Sequence, residues 1–263
     1  PRGGPLIDSV ERSRFARLWV RFFLRGAHAM LCQGPTWHRI AVEKLGFQPA
    51  NAPIIPNWTA TSELLAIGHG RRLNVDRGVQ VRLVFVGWVE REKGIFELLR
   101  ACSKLPTANP FELEVVGDGE AMTACQQMVE EEGMDPLVRF SGWLEGPQLR
   151  RALADADVFV LPSWVEGLPN AMIEAMAAGL AVVVSAVGNV PDVIKDGRNG
   201  LLVPRKDVEA LREALSTVID DQSLVRRLGE NALATAEESF GVEPAVDRIL
   251  AAIFAGSGRG DGI

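Results

Sequence analysis

The stretch that decides the fold is DVFVLPSWVEGLPNAMIEAMAAGLAVVVS, residues 157–185. It begins with an apolar run, VFVLP, that is typical of a strand buried on both faces. A loop with Gly and Pro follows, then the helical run NAMIEAMAAG, which Gly179 ends, and then a second apolar run, LAVVVS. This order predicts a βαβ unit. Because such units cross over right-handedly, we expect the loop and the helix start at the carboxyl edge of a parallel sheet, where α/β proteins bind ligands.

Strands and helices alternate on both sides of this unit. The other predicted strands are 81–87, 111–117, 137–142 and 200–204, and the other predicted helices are 94–105, 119–133, 146–155, 207–219, 222–239 and 242–255. Elements of these lengths in this order predict an α/β fold, a Rossmann-like doubly wound parallel sheet.

The residues before this alternation form a separate group. Residues 1–57 are predicted as helix, strand, helix and strand, with the strands at 27–32 and 52–57 and the second helix at 35–46. Such a segment is too short for an independent core. We therefore interpret residues 1–57 as the remnant of an N-terminal domain and expect the chain to be a piece of a longer protein.

The remaining boundaries follow from composition. Residues 58–80 contain Gly68, Gly70, Gly78 and five charged residues, and are predicted as a linker. Residues 81–240 are the predicted ligand-binding domain. Residues 241–263 are predicted as a C-terminal helix followed by a disordered tail, GSGRGDGI.

The totals exclude some classes of protein. Lys and Arg number 28 against 34 Asp and Glu, so the net charge of -6 argues against a general nucleic-acid binder. Three widely spaced cysteines favour buried free thiols in a reducing compartment. The sequence contains no signal-peptide core and no apolar run long enough to span a bilayer. We expect a cytoplasmic protein.

Residues 9–25 are predicted as a basic amphipathic helix. Its aromatic face consists of Phe15, Leu18, Trp19, Phe22 and Phe23, and its basic face of Arg14, Arg17, Arg21 and Arg25. Two interpretations are open. The helix lies on an anionic membrane surface, or its aromatic face packs on a core that is mostly absent here. We favour packing; peripheral association of the parent protein with the inner face of a membrane stays open.

Two acids bracket the loop of the opening stretch. Glu166 and Glu174 are eight positions apart, too far for one acid–base pair on a single bond, and this spacing suits two acids that hold opposite ends of an elongated ligand. Between them, Gly167–Asn170 provide the backbone N–H groups of a helix N-terminus, a site for a diphosphate. Alternatively, both acids are solvated at a helix end. The spacing alone does not decide between these interpretations.

Two other loops are predicted at the same edge. Lys93 lies just before a helix that Gly94 starts, where a cation can meet phosphate charge, although a single Lys in a polar turn is common. Trp88, Trp143 and Trp164 each follow a predicted strand directly. Indoles stack on bases and sugars, although packing between helices and strands is the commoner role for any one Trp.

Two further patterns are weak. The loop GDGEAM, 117–122, resembles a dinucleotide fingerprint but has Met122 in place of the third Gly, so an NAD-type oxidoreductase ranks low. Asp155 and Asp157 have the D-x-D spacing of a metal site but lie where a helix meets a buried strand. We expect a capping role for them, and neither a metal nor a cofactor.

Several motifs in one order carry a family resemblance. The segment EGLPNAMIEAMAAGLAVVVSAVGNVPDVIKDGRNGLLVP, 166–204, together with GWVEREKGIFELLRA, VVGDGE, VRFSGWLE and ADVFVLPSWVEG, closely resembles the C-terminal domain of the retaining family-4 glycosyltransferases, which have the GT-B fold. Glu166 and Glu174 match the E-x7-E element of that family. The resemblance is strong over 80–240 and extends to 27–57, which looks like the end of the family's N-terminal domain.

The resemblance implies a reaction and its partners. Such an enzyme transfers a hexose, with its anomeric configuration kept, from a nucleotide-diphosphate sugar such as a UDP- or GDP-sugar to an acceptor. The acceptor implied is a glycan or a lipid-linked saccharide. The donor binds to the C-terminal domain, and the acceptor binds mainly to the other domain.

The resemblance also implies roles for individual residues. Glu174 would hold the ribose hydroxyls, Glu166 would contact the transferred sugar, and Lys93 would neutralise the diphosphate; Glu166 and Lys93 are the implied catalytic residues. The other implied donor-binding residues are Gly87, Trp88, Gly117, Val138, Arg139, Gly167, Leu168, Pro169 and Asn170. Of these, Gly167–Asn170 would cradle the diphosphate, and the backbone near Val138 and Arg139, with the loop after it, would meet the base.

Two departures from the family pattern matter. Trp88 occupies the position where the family usually has Arg, so one diphosphate cation is missing unless Arg91 substitutes. Most of the N-terminal domain is also absent. We therefore expect this chain alone to bind donor but to be an inefficient catalyst. A non-catalytic GT-B-like module that serves assembly or regulation is the alternative.

Overall fold

The computed structural model describes residues 10, 13–32, 34–55, 57–71, 81–105 and 110–257. The chain divides into two compact units. One comprises Ala60–Glu238, and the other comprises Pro1–Thr59 with Ser239–Ile263.

The unit Ala60–Glu238 is built on one six-stranded sheet. The strands are β1 (Val81–Val86), β2 (Phe111–Val116), β3 (Val138–Gly142), β4 (Val158–Leu161), β5 (Ala181–Ser185) and β6 (Leu201–Val203). All neighbours are parallel, in the order β3-β2-β1-β4-β5-β6. This confirms the predicted doubly wound sheet. The strand order reverses between β1 and β4, so the crevice at the carboxyl ends of these two strands is the expected ligand site.

The two strands of the opening stretch lie in the middle of the core. Every residue of β4 and of β5 is buried. Their Val-rich sequences suit a strand that is covered on both faces, because β-branched side chains pack well on a pleated surface. Phe85 of β1 and Phe159 of β4 are among the largest fully buried side chains.

Helices cover both faces of this sheet. The helices of the unit are Ser62–Gly70, Ile95–Ser103, Met122–Glu131, Gly146–Asp155, Asn170–Ala177, Val190–Val193, Val208–Asp220 and Gln222–Phe240, the last of which extends past the unit boundary. The helix Ile95–Ser103 packs against both Met122–Glu131 and Val208–Asp220, whereas Ser62–Gly70 packs against Gly146–Asp155 and Asn170–Ala177. Apart from Ser62–Gly70 and the short Val190–Val193, the helices agree with those predicted to within a few residues.

The predicted linker 58–80 is partly helical. Its helix, Ser62–Gly70, lies so close to Ala177 that a Cβ on Gly68 would come within 2.5 Å of the Ala177 carbonyl oxygen. The glycines that indicated a linker therefore include one that permits close helix packing. Arg71 directly follows the helix. Residues 72–80 lie outside the described residues.

The other unit contains short elements. They are the helix Arg14–Phe23, the helix Pro35–Arg39, the π-helix Ile40–Leu45, the 3₁₀ turn Pro49–Asn51 and the helix Val242–Ser257, which contacts that turn. In the described part of this segment, the strands predicted at 27–32 and 52–57 form one parallel bridge, between Cys32 and Ile54, and do not form a longer ladder. A two-stranded ladder is marginal without further strands beside it, which accounts for the difference. The tail, residues 258–263, lies outside the described residues.

The helix Arg14–Phe23 is amphipathic, as predicted. Val20 and Leu24 pack against the buried Ile40 and Leu45, and Arg21 Nε donates a hydrogen bond to the Leu45 carbonyl oxygen at 3.2 Å. The aromatic face stays exposed, with Phe15, Leu18, Trp19, Phe22 and Phe23 between 55% and 76% accessible. Packing of this face on a further domain stays a prediction, as does membrane association.

The cysteines and the apolarity of the helices can be compared with expectation across the described residues. Cys32, Cys102 and Cys125 are all free and buried, as predicted. Burial raises the pKa of Cys102 to about 12 and that of Cys125 to about 11, so neither is a reactive thiolate at neutral pH. Among the described residues, no helix has the length and apolarity needed to cross a membrane.

Candidate functional site

The loops after β1 and β4 meet at the carboxyl edge of the sheet. Gly94 is in the left-handed region, with φ of 73°, and a Cβ at this position would lie 2.0 Å from the Pro162 carbonyl oxygen. The Trp164 backbone N–H donates to the Glu92 carbonyl oxygen at 2.8 Å. Only glycine allows this approach, and the approach fixes the loop that carries Lys93 against the loop that carries Glu166.

Lys93 and Glu166 form an ion pair at this junction. Lys93 Nζ lies 2.6 Å from Glu166 Oε1, and the two side chains are 22% and 12% exposed. The hydroxyl of Ser163, which is buried, donates to the same Oε1 at 2.8 Å. The two predicted catalytic residues therefore neutralise each other, and Ser163 fixes the carboxylate that holds the cation.

The start of the helix Asn170–Ala177 lies directly after this pair. Gly167, Leu168, Pro169 and Asn170 form the turn into the helix, as predicted. Pro169 has no N–H and is buried, so it shapes the turn and does not donate. The Gly167 carbonyl oxygen accepts from the Asn189 N–H at 2.8 Å, which ties the turn to the loop after β5.

A second loop contact supports the same turn. Gly188 has φ of 55°, and a Cβ there would lie 2.1 Å from the Glu166 carbonyl oxygen. The positions of Glu166 and Gly167 are thus held by backbone contacts from β5 as well as by the β1 loop. Such rigidity suits a site that must present N–H groups and a carboxylate in one arrangement.

Glu174 lies in the helix Asn170–Ala177, one turn beyond its start, and is half-buried. Desolvation by burial raises the pKa of its carboxyl group. Glu166 lies before the helix, so the E-x7-E element is a loop acid followed by a helix acid and not two acids of one helix. The partly shielded Glu174 carboxylate can accept hydrogen bonds from vicinal hydroxyls.

Trp88 and Trp143 lie against each other at the same edge. Their ring centroids are 4.9 Å apart with an interplanar angle of 41°. The loop after β2 lies between the loops that carry the two indoles, and the Gly117 N–H donates to the Gly142 carbonyl oxygen at 2.8 Å. Gly117 has φ of 140°, and a Cβ at this position would lie 1.8 Å from the Gly87 carbonyl oxygen. Gly87, Trp88 and Gly117 are therefore brought together, as expected.

Comparison of the sequence with known protein families identifies the family of this chain. The sequence family described as "Glycosyl transferases group 1" matches residues 76–235, more than half of the chain. The chain belongs to the group 1 glycosyltransferases.

Curated relatives of this glycosyltransferase chain are longer than the chain. The lipopolysaccharide core biosynthesis glycosyltransferase LpsE of Rhizobium meliloti is 30% identical over 228 residues, which cover 87% of the chain and 64% of LpsE. The MMP alpha-(1->4)-mannosyltransferase of Mycolicibacterium hassiacum is 34% identical over 149 residues, which cover 56% of the chain and 36% of that protein. The chain thus spans between one third and two thirds of these relatives.

Solved structures agree on the fold. Anabaena HepE in complex with UDP and glucose superposes with a TM-score of 0.74 at 18% identity, over 95% of this chain and 70% of HepE. Sucrose-phosphate synthase from Thermosynechococcus elongatus gives a TM-score of 0.72 at 24% identity, over 94% and 63%. The architecture is that of the GT-B glycosyltransferases.

Not every predicted site residue of this glycosyltransferase chain lies at the carboxyl edge. Val138 and Arg139 begin β3, and their register with Leu113 and Glu114 places them toward its amino end. The Arg139 guanidinium pairs with Glu114 at 2.8 Å. The residues that continue β3 to the edge are Ser141 and Gly142, followed by Trp143. Val138 and Arg139 thus lie away from the carboxyl edge, whereas the loop after them reaches it, and the contact of this segment with a base stays a prediction.

Other candidates have structural partners. Arg91, considered as a substitute cation, lies over the Phe96 ring at 5.0 Å. Asp157 Oδ2 accepts from the Arg82 backbone N–H at 2.9 Å and so links the beginning of β1 to β4, a structural role that differs from the predicted cap of a helix or turn. The described residues include no group of three or more His, Cys, Asp or Glu that could hold a metal ion; independence from metals stays a prediction.

Two residues at this edge, Ser163 and Lys206, are not indicated by the sequence. Ser163 carried no signal beyond being a small polar residue after a strand, yet it holds Glu166. Lys206 is a non-glycine residue in the left-handed region, with φ of 64°, and its Nζ lies 3.9 Å from the centroid of the Trp164 ring. The contact of Lys206 with Trp164 joins loops that are far apart in the sequence, and the contact of Ser163 with Glu166, three positions later, depends on how their common loop folds.

Proposed function

We propose that this chain is the donor-binding part of a retaining glycosyltransferase that transfers a hexose from a nucleotide-diphosphate sugar to a glycan or a lipid-linked saccharide. The observation that carries the proposal is the meeting of Lys93, Glu166 and the helix start at Gly167–Asn170 in the crevice between β1 and β4. A cation and a helix N-terminus together suit a diphosphate, and a crevice at the reversal of strand order suits a nucleotide. The names of the relatives, including a mannosyltransferase, support the reaction class.

In this proposal each group has a physical task. Lys93 and the N–H groups of the helix start hold the diphosphate, whose negative charge grows as the sugar leaves. Lys93 then exchanges its contact with Glu166 for the phosphate oxygens, and Glu166 becomes available to the hydroxyls of the sugar. Glu174 accepts from the ribose hydroxyls. These residues stabilise the leaving group without a metal ion.

A thermal-shift titration tests the donor site. UDP, GDP and ADP are added at millimolar concentration, because a ligand that binds only the folded state raises the melting temperature as RT ln(1 + [L]/Kd). We expect at least one diphosphate to raise the melting temperature, its monophosphate to raise it less, and Glu174→Ala to remove the shift. Glu130→Ala is the matched control, since Glu130 is an exposed acid on the helix Met122–Glu131. If no diphosphate changes the melting temperature, the proposal is wrong.

One observation favours a second function. Trp88, at the position where an Arg would bind phosphate, is half-exposed and contacts another indole instead of a cation. A GT-B-like module that serves assembly or regulation would show this loss of a phosphate cation. Incubating the full-length parent with a panel of nucleotide sugars separates the two functions: neither transfer nor hydrolysis, with the fold intact, would favour the module.

A further inference from the structure

Trp88 and Trp143 form an exposed aromatic pair, and neither indole has a task in the diphosphate site described above. Trp88 follows β1 and Trp143 follows β3, and β2 lies between these strands. The two indoles therefore meet across the loop that follows β2. Both are far more accessible than a packing role requires, at 50% and 52% of their surface.

The orientation of this pair is fixed. The Trp143 Nε1–H donates to Glu145 Oε1 at 2.7 Å, which holds one ring, and contact at a centroid distance of 4.9 Å holds the other. Under the rings, the Gly117 backbone N–H donates to the Gly142 carbonyl oxygen at 2.8 Å, the Gly87 N–H donates to the Val116 carbonyl oxygen at 3.0 Å, and a Cβ on Gly117 would lie 1.8 Å from the Gly87 carbonyl oxygen. Two indoles that are held in place and half open to solvent are a preformed surface for a flat ring, because little side-chain entropy remains to be lost on stacking.

We propose that Trp88 and Trp143 form an aromatic platform that stacks against the base of the bound nucleotide. This inference rests on the proposed function, which sets the diphosphate at the start of the helix Asn170–Ala177, after β4. The aromatic platform lies across the β2 loop, and β2 is two strands from β4, a distance of about 10 Å. A nucleoside that extends from the diphosphate toward β2 brings its base to the indoles.

The opposite direction is less suitable for a base. Toward β5 and β6 the exposed edge offers Trp164, but Lys206 Nζ lies over that ring at 3.9 Å from its centroid. A base would have to displace this cation to stack there. Among the residues that the structure describes, no cation lies over either ring of the aromatic platform. Trp88 would then contact the base from the position where the family usually has a phosphate-binding Arg.

Stacking recognises the flat face of a base and not its hydrogen-bonding edge. The aromatic platform should therefore accept purines and pyrimidines, with the larger rings gaining more from it. Removing one indole is expected to weaken nucleotide binding about 5- to 150-fold, because stacking of a base on an aromatic side chain contributes about 1–3 kcal/mol.

The experiment compares variants of the full chain with whichever of UDP, GDP and ADP binds the wild-type chain most tightly. Calorimetry gives the Kd for Trp88→Ala, Trp143→Ala and Trp143→Phe, and tryptophan fluorescence reports stacking directly. We expect both Ala variants to raise the Kd at least fivefold, Trp143→Phe to stay within about threefold, and the nucleotide-dependent quenching to shrink in each. Trp19→Ala, which removes an indole of similar exposure from the helix Arg14–Phe23, should change neither readout.

The outcomes separate this inference from the proposed function. If the wild-type chain binds a diphosphate and both Ala variants bind it equally well with unchanged quenching, the aromatic platform is wrong and the donor site stands. If Trp143→Phe loses as much affinity as Trp143→Ala, the side chain shapes its loop and does not stack, which also overturns the platform. A wild-type chain that binds no diphosphate overturns both.

Discussion

Lys93 Nζ lies 2.6 Å from Glu166 Oε1 across the crevice between β1 and β4. The cation assigned to the diphosphate and the carboxylate assigned to the sugar are therefore each other's partner before a ligand arrives. Both side chains are largely shielded from water, so the removal of one leaves the other charged and poorly solvated. We therefore expect the effects of substitutions at Lys93 and Glu166 on stability to depend on each other.

Lys93→Met should destabilise the fold more than the double change Lys93→Met with Glu166→Gln. The single variant leaves a shielded carboxylate with Ser163 as its remaining partner, at a cost of about 2 kcal/mol, whereas the neutral amide of the double variant keeps the Ser163 hydrogen bond without an unpaired charge. Urea unfolding of wild type, Lys93→Met, Glu166→Gln and the double variant forms a double-mutant cycle that gives the coupling energy between the two side chains. A double variant as unstable as Lys93→Met would contradict this account.

Glu174→Gln should stabilise the ligand-free chain at neutral pH. Burial raises the pKa of Glu174 in the fold, so the folded state binds the proton more tightly than the unfolded state, where the pKa is about 4.3. Stability is therefore lost as the pH rises from the unfolded value through the raised folded value. The gain from Glu174→Gln should be largest above this window and vanish below it.

Melting temperatures at a series of pH values between about 3.5 and 8 test the Glu174 prediction. Glu130→Gln serves as the matched control, since Glu130 is exposed on its helix and should show no such pH-dependent difference. A stability difference between Glu174→Gln and wild type that does not depend on pH would mean that the desolvated carboxylate is not its cause.

Gly94→Ala should be far more destabilising than Gly133→Ala. Both glycines have φ near 70°, at 73° and 66°, so both substitutions carry the same backbone strain of about 1–2 kcal/mol. Only Gly94 also has a neighbour, the Pro162 carbonyl oxygen, at 2.0 Å from the added Cβ, whereas nothing lies within 4 Å at Gly133. Gly94→Ala should thus open the junction of the β1 and β4 loops and weaken diphosphate binding, while Gly133→Ala leaves binding unchanged.

Circular dichroism melts and nucleotide titration of these two glycine variants provide the check. Equal loss of stability in both would show that strain alone acts and that the close approach of the loops is not required.

Arg71→Ala should lower stability by about 3 kcal/mol, because it leaves three carbonyl groups without their donor. The Arg71 guanidinium donates to the carbonyl oxygens of Ala178, Ala156 and Leu153 at 2.9, 2.5 and 2.8 Å. It therefore caps the C-terminal ends of the helices Asn170–Ala177 and Gly146–Asp155. Arg71→Lys should recover part of the loss, since one ammonium group cannot follow the planar fork.

Chemical denaturation measures the Arg71 effect, with Arg100→Ala, the loss of an exposed Arg, as the control. If Arg71→Ala and Arg100→Ala lie within about 0.5 kcal/mol of wild type, the guanidinium contributes no net stability.

The fold could be predicted because its signals are local. The Val-rich runs of β4 and β5 can be satisfied only by burial on both faces, and the glycine that ends the helix between them sets the crossover. The same reasoning fails in the unit formed by Pro1–Thr59 and Ser239–Ile263. There the apolar residues near Cys32 and Ile54 read as strands, but a lone pair without neighbouring strands forms only one bridge.

The candidate site was predictable only in part. Glu166, Lys93 and Glu174 could be assigned to one sheet edge, since the carboxyl ends of parallel strands meet there. Val138 and Arg139 could not be placed, because the position of a residue along a strand depends on register, and register depends on the neighbouring strands.

The sequence by itself therefore determined the parallel sheet, the order of its elements and the edge at which the loops gather. Only the tertiary structure decided that Lys93 pairs with Glu166, that Ser163 supports this pair, and that Trp88 meets Trp143 across β2. The physical reason is the separation in sequence between the residues that interact. Burial and turn formation act on neighbours in the chain, whereas the Lys93–Glu166 and Trp88–Trp143 contacts join loops that come together only when the sheet forms. Ser163 lies in the same loop as Glu166, but the pair that it supports exists only once Lys93 reaches that loop.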